Sequence, residues 1–98
     1  MRNEEIEEKI ELEIQEMANL RRMLKGTVNK IAIKSGGASG KTRFIHQLTY
    51  KGAGNVTKTI YVRKGKLADA EEMTRNYRKA KECLERIAKL NEELFRME

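Results

Sequence analysis

Lysine and arginine are the residues of this chain whose type and placement could do chemistry, and that chemistry is contact with phosphate. Twelve of them lie between Met17 and Ala68, a stretch without a single Asp or Glu. The first sixteen residues hold seven Glu against Arg2 and Lys9, and the last thirty hold eight acids against seven bases. Charge therefore runs −5, +12 and −1 along the chain, for a formal net +6. Ordinary solvated surfaces intersperse both signs, so a middle segment purged of acid is expected to face a polyanion. Arg43, Lys58, Arg63, Lys64 and Lys66 are the foremost expected phosphate contacts, followed by Lys30, Lys34 and Lys41. Gln47, Thr57, Thr59 and Tyr61 are expected to reach bases or sugars, because such side chains on a strand pair can hydrogen-bond to base edges. Arg75, Arg78 and Lys79 would extend the basic surface along a helix. The competing reading is a solvated sheet face whose cations only discourage edge-to-edge pairing.

Other chemistries find less support. Ser35-Gly36-Gly37-Ala38-Ser39-Gly40-Lys41-Thr42 resembles the phosphate loop GxxxxGK[ST], with Ser35 at the first glycine. That loop must open a helix whose amides cradle phosphate, whereas Arg43 to Tyr50 alternates like a strand. The only Asp in the chain, Asp69, stands at the start of the last helical pattern and not at the end of an apolar run. Nucleotide hydrolysis is not expected. The glycine-rich amides with Lys41 and Thr42 could still form an anion-binding nest against a nucleic-acid backbone, or simply close a six-residue turn. His46 has no second His and no Cys or Asp close in sequence, and is expected to be packed or hydrogen-bonded. Cys83, the lone cysteine, allows no internal disulfide and no Cys/His zinc site, and is expected as a small buried thiol. The glutamates from Glu4 to Glu13 read as a solvated helix face. No nucleophile with a base and an orienting partner can be picked out, so no catalytic residue, metal or cofactor is expected and the chain is not expected to be an enzyme.

The elements that must position these cations follow from periodicity. From Asn3 to Lys25 the apolar residues Ile6, Ile10, Ile14, Met17, Leu20 and Leu24 recur every three or four positions, the stripe of an amphipathic helix. Arg21, Arg22 and Lys25 would complement its dipole, and Gly26 would end it. From Leu67 to Met97 the residues Ala70, Met73, Tyr77, Ala80, Leu84, Ile87 and Leu94 form a second, heptad-like stripe. Asn91 stands on that seam, where it could fix register, or faces solvent while Leu90 makes the apolar contact. Between the helices Thr27–Lys34, Arg43–Tyr50 and Val56–Arg63 are rich in β-branched and aromatic residues and bounded by glycines. The second and third join through Lys51-Gly52-Ala53-Gly54-Asn55, a five-residue hairpin loop.

The expected fold is therefore α+β: an N-terminal helix (3–25), a three-stranded antiparallel meander within a basic 27–64 segment, and a long C-terminal helix (67–97). All of it would form a single domain of 98 residues with a modest core. Alternation along the hairpin puts Phe44, Leu48, Tyr50, Ile60 and Val62 on the face that packs on the helices. Arg43, Gln47, Thr49, Thr57, Thr59, Tyr61 and Arg63 fall on the opposite face, with Ile45 its one apolar member. With 39% hydrophobic residues and only five aromatics, the stripes are expected to associate with a second copy, giving a homodimer through the helices. No run of apolar residues is long enough to span a bilayer, and Met1-Arg2-Asn3-Glu4-Glu5 lacks the blocks of a signal peptide. A cytoplasmic location without membrane contact is expected.

One likeness bears on setting. The order of a leading helix, Gly26-Thr27-Val28, a loop ending Gly40-Lys41-Thr42, a strand ending Thr59-Ile60-Tyr61-Val62 and a helix carrying Asn76-Tyr77-Arg78 is similar to small uncharacterised proteins often encoded beside transposases in bacteria and archaea. The likeness covers about Lys25 to Leu94, although the cysteine-rich turn and Gly-Pro-Tyr-Tyr segment common in that group are lacking here. It implies a helix, sheet, helix fold and a mobile-element or plasmid setting, and it transfers no site residues. The function expected from the sequence is non-catalytic binding of nucleic acid, DNA favoured over RNA, because the aromatics are too few for a single-strand stacking platform. The alternative is a helical dimer that docks an acidic protein partner as an inhibitor or assembly factor.

Overall fold

The computed structural model describes residues 3–34, 36 and 40–98. They form α1 (Asn3–Asn19), β1 (Thr27–Lys34), β2 (Thr42–Lys51), β3 (Thr57–Val62) and α2 (Leu67–Met97), with 3-10 turns at Ala53–Asn55 and Lys64–Lys66. The strands make one antiparallel sheet in the order β1-β2-β3, the expected α+β meander between two helices. The chain divides into two compact units, Leu24–Thr74 around the sheet and Met1–Met23 with Arg75–Glu98 around the helices. No helix among the described residues is long and apolar enough to cross a membrane.

In the sheet unit, β-branched residues favour the pleated backbone and the register is uninterrupted. Thr27 to Lys34 pair with Thr49 to Thr42, and His46 to Lys51 pair with Val62 to Thr57. Leu48, 2% exposed, is the centre of the core with Val62 and Ala70, and Leu24, Val28 and Leu67 pack around them. Burying a leucine this fully contributes roughly 1.5–3 kcal/mol. Gly26 enters β1 with φ +128°, and a Cβ there would lie 2.3 Å from the Thr49 carbonyl oxygen. Gly54 and Asn55, with φ of 68° and 62°, turn β2 into β3, and the Gly52 amide closes the loop on the Val56 carbonyl at 2.7 Å.

Two expectations for this unit are corrected. Phe44 and Ile60, expected to pack on the helices, are 57% and 48% exposed. Phe44 pairs with Ala32, in a row that β3 does not reach, so no third strand among the described residues flanks its ring.

In the helical unit the buried residues are Ile6, Ala80 and Cys83. The first helix stops at Asn19 and not at Lys25, where the Leu20 amide closes the last turn on the Met17 carbonyl at 3.1 Å. The Arg22 carbonyl then accepts a hydrogen bond from Asn76 Nδ2 at 3.0 Å, and residues 20–25 belong to no regular element. Arg21, Arg22 and Lys25 thus lie beyond the helix and do not complement its dipole, although Glu4 and Glu5 still do so in its first turn. Ile14 and Leu84 are exposed, and Glu13 and Cys83 take the inward positions in their place. Asn91 faces solvent while Leu90 is half-buried.

Candidate nucleic-acid interface

The uninterrupted register assigns each sheet residue to a face, since successive side chains alternate. Val28, Lys30, Ala32 and Lys34 of β1, Thr42, Phe44, His46, Leu48 and Tyr50 of β2, and Lys58, Ile60 and Val62 of β3 share the face that carries Leu48. Thr27, Asn29, Ile31, Ile33, Arg43, Ile45, Gln47, Thr49, Lys51, Thr57, Thr59 and Tyr61 share the other. Every buried sheet residue is on the Leu48 face, and none on the Gln47 face is buried.

The Gln47 face gathers the expected base or sugar contacts. Asn29, Gln47 and Tyr61 stand in one row across the three strands, and Thr27, Thr49 and Thr59 in the next. Asn29 Nδ2 donates to Thr49 Oγ1 at 2.9 Å, and Lys51 Nζ donates to Thr57 Oγ1 at 2.8 Å, which holds two hydroxyl groups of the face in place. Tyr61 is 60% exposed, so its phenol is accessible. Within the hairpin Ile45 is the one clearly apolar member of this face, as expected, and β1 adds Ile31, paired with Ile45, and Ile33, paired with Arg43.

The expected phosphate contacts are not all brought onto one face. Arg43 belongs to the Gln47 face, while Lys30, Lys34 and Lys58 belong to the Leu48 face. Lys41 immediately precedes β2, and Arg63, Lys64 and Lys66 lie in the connection from β3 to α2. All eight are exposed. Arg75, Arg78 and Lys79 are exposed on α2 in the helical unit.

Strand length creates a feature that the sequence pattern did not reveal. β3 ends opposite His46, so among the described residues the rows Ile31–Ile45, Ala32–Phe44, Ile33–Arg43 and Lys34–Thr42 consist of β1 and β2 alone. This two-stranded arm carries Lys34 and Arg43, with Lys30 at its base and Lys41 at its far end. On its Leu48 face Phe44 stands opposite the small Ala32, with Lys30 and Lys34 as diagonal neighbours across the strands. The Lys30 ammonium lies 4.4 Å from the centre of the Phe44 ring, a cation–π contact. Alternation places Phe44 in the core, and nothing in the three strand patterns of equal length marks where β3 stops.

The phosphate-loop resemblance does not carry through, because Thr42 opens a strand and not a helix. Of the nest expected from the glycine-rich amides with Lys41 and Thr42, Ser35, Gly37, Ala38 and Ser39 lie outside the described residues, while Lys41 and Thr42 are exposed. His46 is partly buried opposite Val62 and Lys30. In the helical unit Glu13, Glu16 and Cys83 bring ligand-type atoms within 4.8 Å of one another. Arg86 already serves this cluster: its guanidinium pairs with Glu13 and donates to Cys83 Sγ at 3.4 Å. Its hydrogen bond holds the Glu13 carboxyl below the usual carboxylate range and raises Arg86 in turn. Burial pushes the Cys83 thiol up, so the uncharged thiol is favoured. Compared with models of protein families, with curated proteins and with solved structures, the chain gives no significant match.

Proposed function

We propose that this chain binds duplex DNA without catalysing a reaction on it, and that it does so through the sheet, with the β1–β2 arm entering a groove. The observation that carries the reading is the exposure of Lys30, Lys34, Lys41 and Arg43 on and beside a two-stranded arm, within a segment that contains no acid. Paired strands lie about 4.8 Å apart, and the major groove, about 12 Å wide, admits a two-stranded ribbon. Four rows at about 3.4 Å each reach roughly 14 Å, more than the groove's depth of about 8.5 Å. The deep, narrow major groove of A-form RNA closes out such a ribbon. Gln47, Thr59 and Tyr61 on the Gln47 face would meet bases or sugars, and Lys58, Arg63, Lys64 and Lys66 would add phosphate contacts. Leu12, Leu84 and Phe95, exposed in the helical unit, support self-association of two copies, and a cytoplasmic mobile-element or plasmid setting suits such a protein.

The test is fluorescence anisotropy with labelled duplex DNA, single-stranded DNA and duplex RNA across a salt series, alongside light scattering for the oligomeric state. Neutralising five or six phosphates gives a log–log salt slope of about −4.5 to −5.5 on duplex DNA. Replacing Lys30 and Lys34 together, or Arg63 and Lys64 together, by alanine should flatten it by about 1.8. Failure to bind any of the three at physiological salt would overturn the reading. A tight acidic protein partner with a shallow salt dependence would instead support the docking module.

A further inference from the structure

We propose that Phe44 is a base-stacking wedge: on entering DNA the arm inserts this ring at a base step, so that deformed or weakly stacked duplex is the preferred ligand. The inference rests on the DNA-binding reading and names the kind of DNA that the same site selects. Its first support is exposure. A phenylalanine ring that is 57% exposed on a regular strand forgoes the free energy of burial in the free protein, and the methyl of Ala32 opposite leaves it standing clear. Its second support is company. Lys30 and Lys34 bracket the ring diagonally on its own face, and both are placed to reach the phosphates that flank a base step. The Lys30 ammonium over the ring restrains it in the free state and can transfer to a phosphate oxygen on binding. Many minor-groove binders open and kink a duplex by inserting an apolar side chain at a base step beside cationic contacts, and the arm would apply the same wedge chemistry with Phe44. A single ring of this kind is a wedge and not a stacking platform, which agrees with the scarcity of aromatics in the chain.

The chain has no Trp, so Phe44→Trp places a single indole reporter at the site. Binding is followed by anisotropy on an intact labelled duplex and on the same duplex carrying a one-base bulge, at one salt concentration, and indole emission is read in parallel. The wild-type protein should prefer the bulged duplex by about 5- to 150-fold, the range that one stacked base supplies. Phe44→Ala should abolish that preference, leaving the two duplexes with equal affinity set by the cations alone. Indole emission from the F44W protein should be quenched when the bulged duplex binds. Equal affinity of the wild type for both duplexes, or a bulge preference that survives in F44A, overturns the wedge and leaves the DNA reading in place. So does bound F44W protein with unchanged emission. Absence of wild-type binding to either duplex overturns the DNA reading and the wedge with it. Because F44W keeps an aromatic ring at an exposed position, its result does not depend on whether F44A folds.

Discussion

Replacing Gly26 by alanine tests the junction on which the sheet depends. A φ of +128° lies in a backbone region that glycine alone enters freely, so alanine there costs on the order of 1–3 kcal/mol. The new methyl would also sit 2.3 Å from the Thr49 carbonyl oxygen, roughly 1 Å inside ordinary van der Waals separation. That oxygen belongs to the backbone of β2 and cannot rotate away. Relief requires the strands to part at the Thr27–Thr49 row, and each ladder hydrogen bond weakened costs about 0.5–1.5 kcal/mol. The combined loss is about 2–5 kcal/mol, which for a protein of this size lowers the melting temperature by at least about 10 °C. Gly65→Ala is the control: nothing lies within 4 Å of its added Cβ, and the change should fall within about 1 kcal/mol of neutral. Gly54→Ala, with φ +68° and only Val56 Cγ2 at 4.0 Å, should fall between them at about 1–2 kcal/mol. Reversible thermal unfolding followed by circular dichroism gives all three values. A G26A protein that melts within two or three degrees of wild type, or a G65A protein as unstable as G26A, would refute the geometry described for this turn.

Other perturbations follow from the same packing. Leu48→Ala should cost about 2–5 kcal/mol in urea unfolding, whereas Ile60→Ala, on the same face but half-exposed, should cost less than about 1 kcal/mol. Glu13, with its carboxyl lowered by Arg86, favours the folded state above its unfolded titration range, and that contribution is lost as pH falls through its folded value. Wild type should accordingly melt above Glu13→Gln at neutral pH, and the gap should close as both are acidified. A gap that persists in strong acid would count against the ion pair. Cys83, wholly buried with its thiol raised, should resist alkylation by iodoacetamide at neutral pH and react at the rate of a free thiol once the chain is unfolded.

Period and composition made most of the fold legible. The change from a three-and-four spacing to β-branched alternation at Thr27, and back again at Leu67, marks the sheet between the helices, and glycines mark its turns. Pattern failed where tertiary contacts overrode it. Leu20 and Leu24 continue the stripe of α1, yet the chain leaves the helix because Leu24 joins the Leu48 core and its amide donates to the Met73 carbonyl at 3.0 Å. Ile14 gives way to Glu13 because Arg86 offers that carboxylate a partner, which no scale of hydrophobicity registers. The candidate site was legible as a set of residues and not as an arrangement. Charge sorting singled out the cations, but their division between two faces depends on register, and the exposure of Phe44 depends on where β3 stops.

The unbroken register has a consequence for how this chain can change over time. Substitution at Ala32 or Arg43 leaves the register as it is, and substitution at Lys30 removes its contact with the Phe44 ring without shifting any other residue from one face to the other. A deletion or insertion of one residue within β1 is different in kind, since it exchanges the faces of every residue beyond it. Lys30 and Lys34 would move to the side of Ile45 and Arg43, while Ile31 and Ile33 would join Phe44 and Leu48. The pairing described for β1 and β2 runs from Thr27–Thr49 to Lys34–Thr42, and a change of length outside those rows exchanges no face within them. Length variation among descendants of this sequence should therefore be purged from β1, where substitution is tolerated more readily than insertion or deletion.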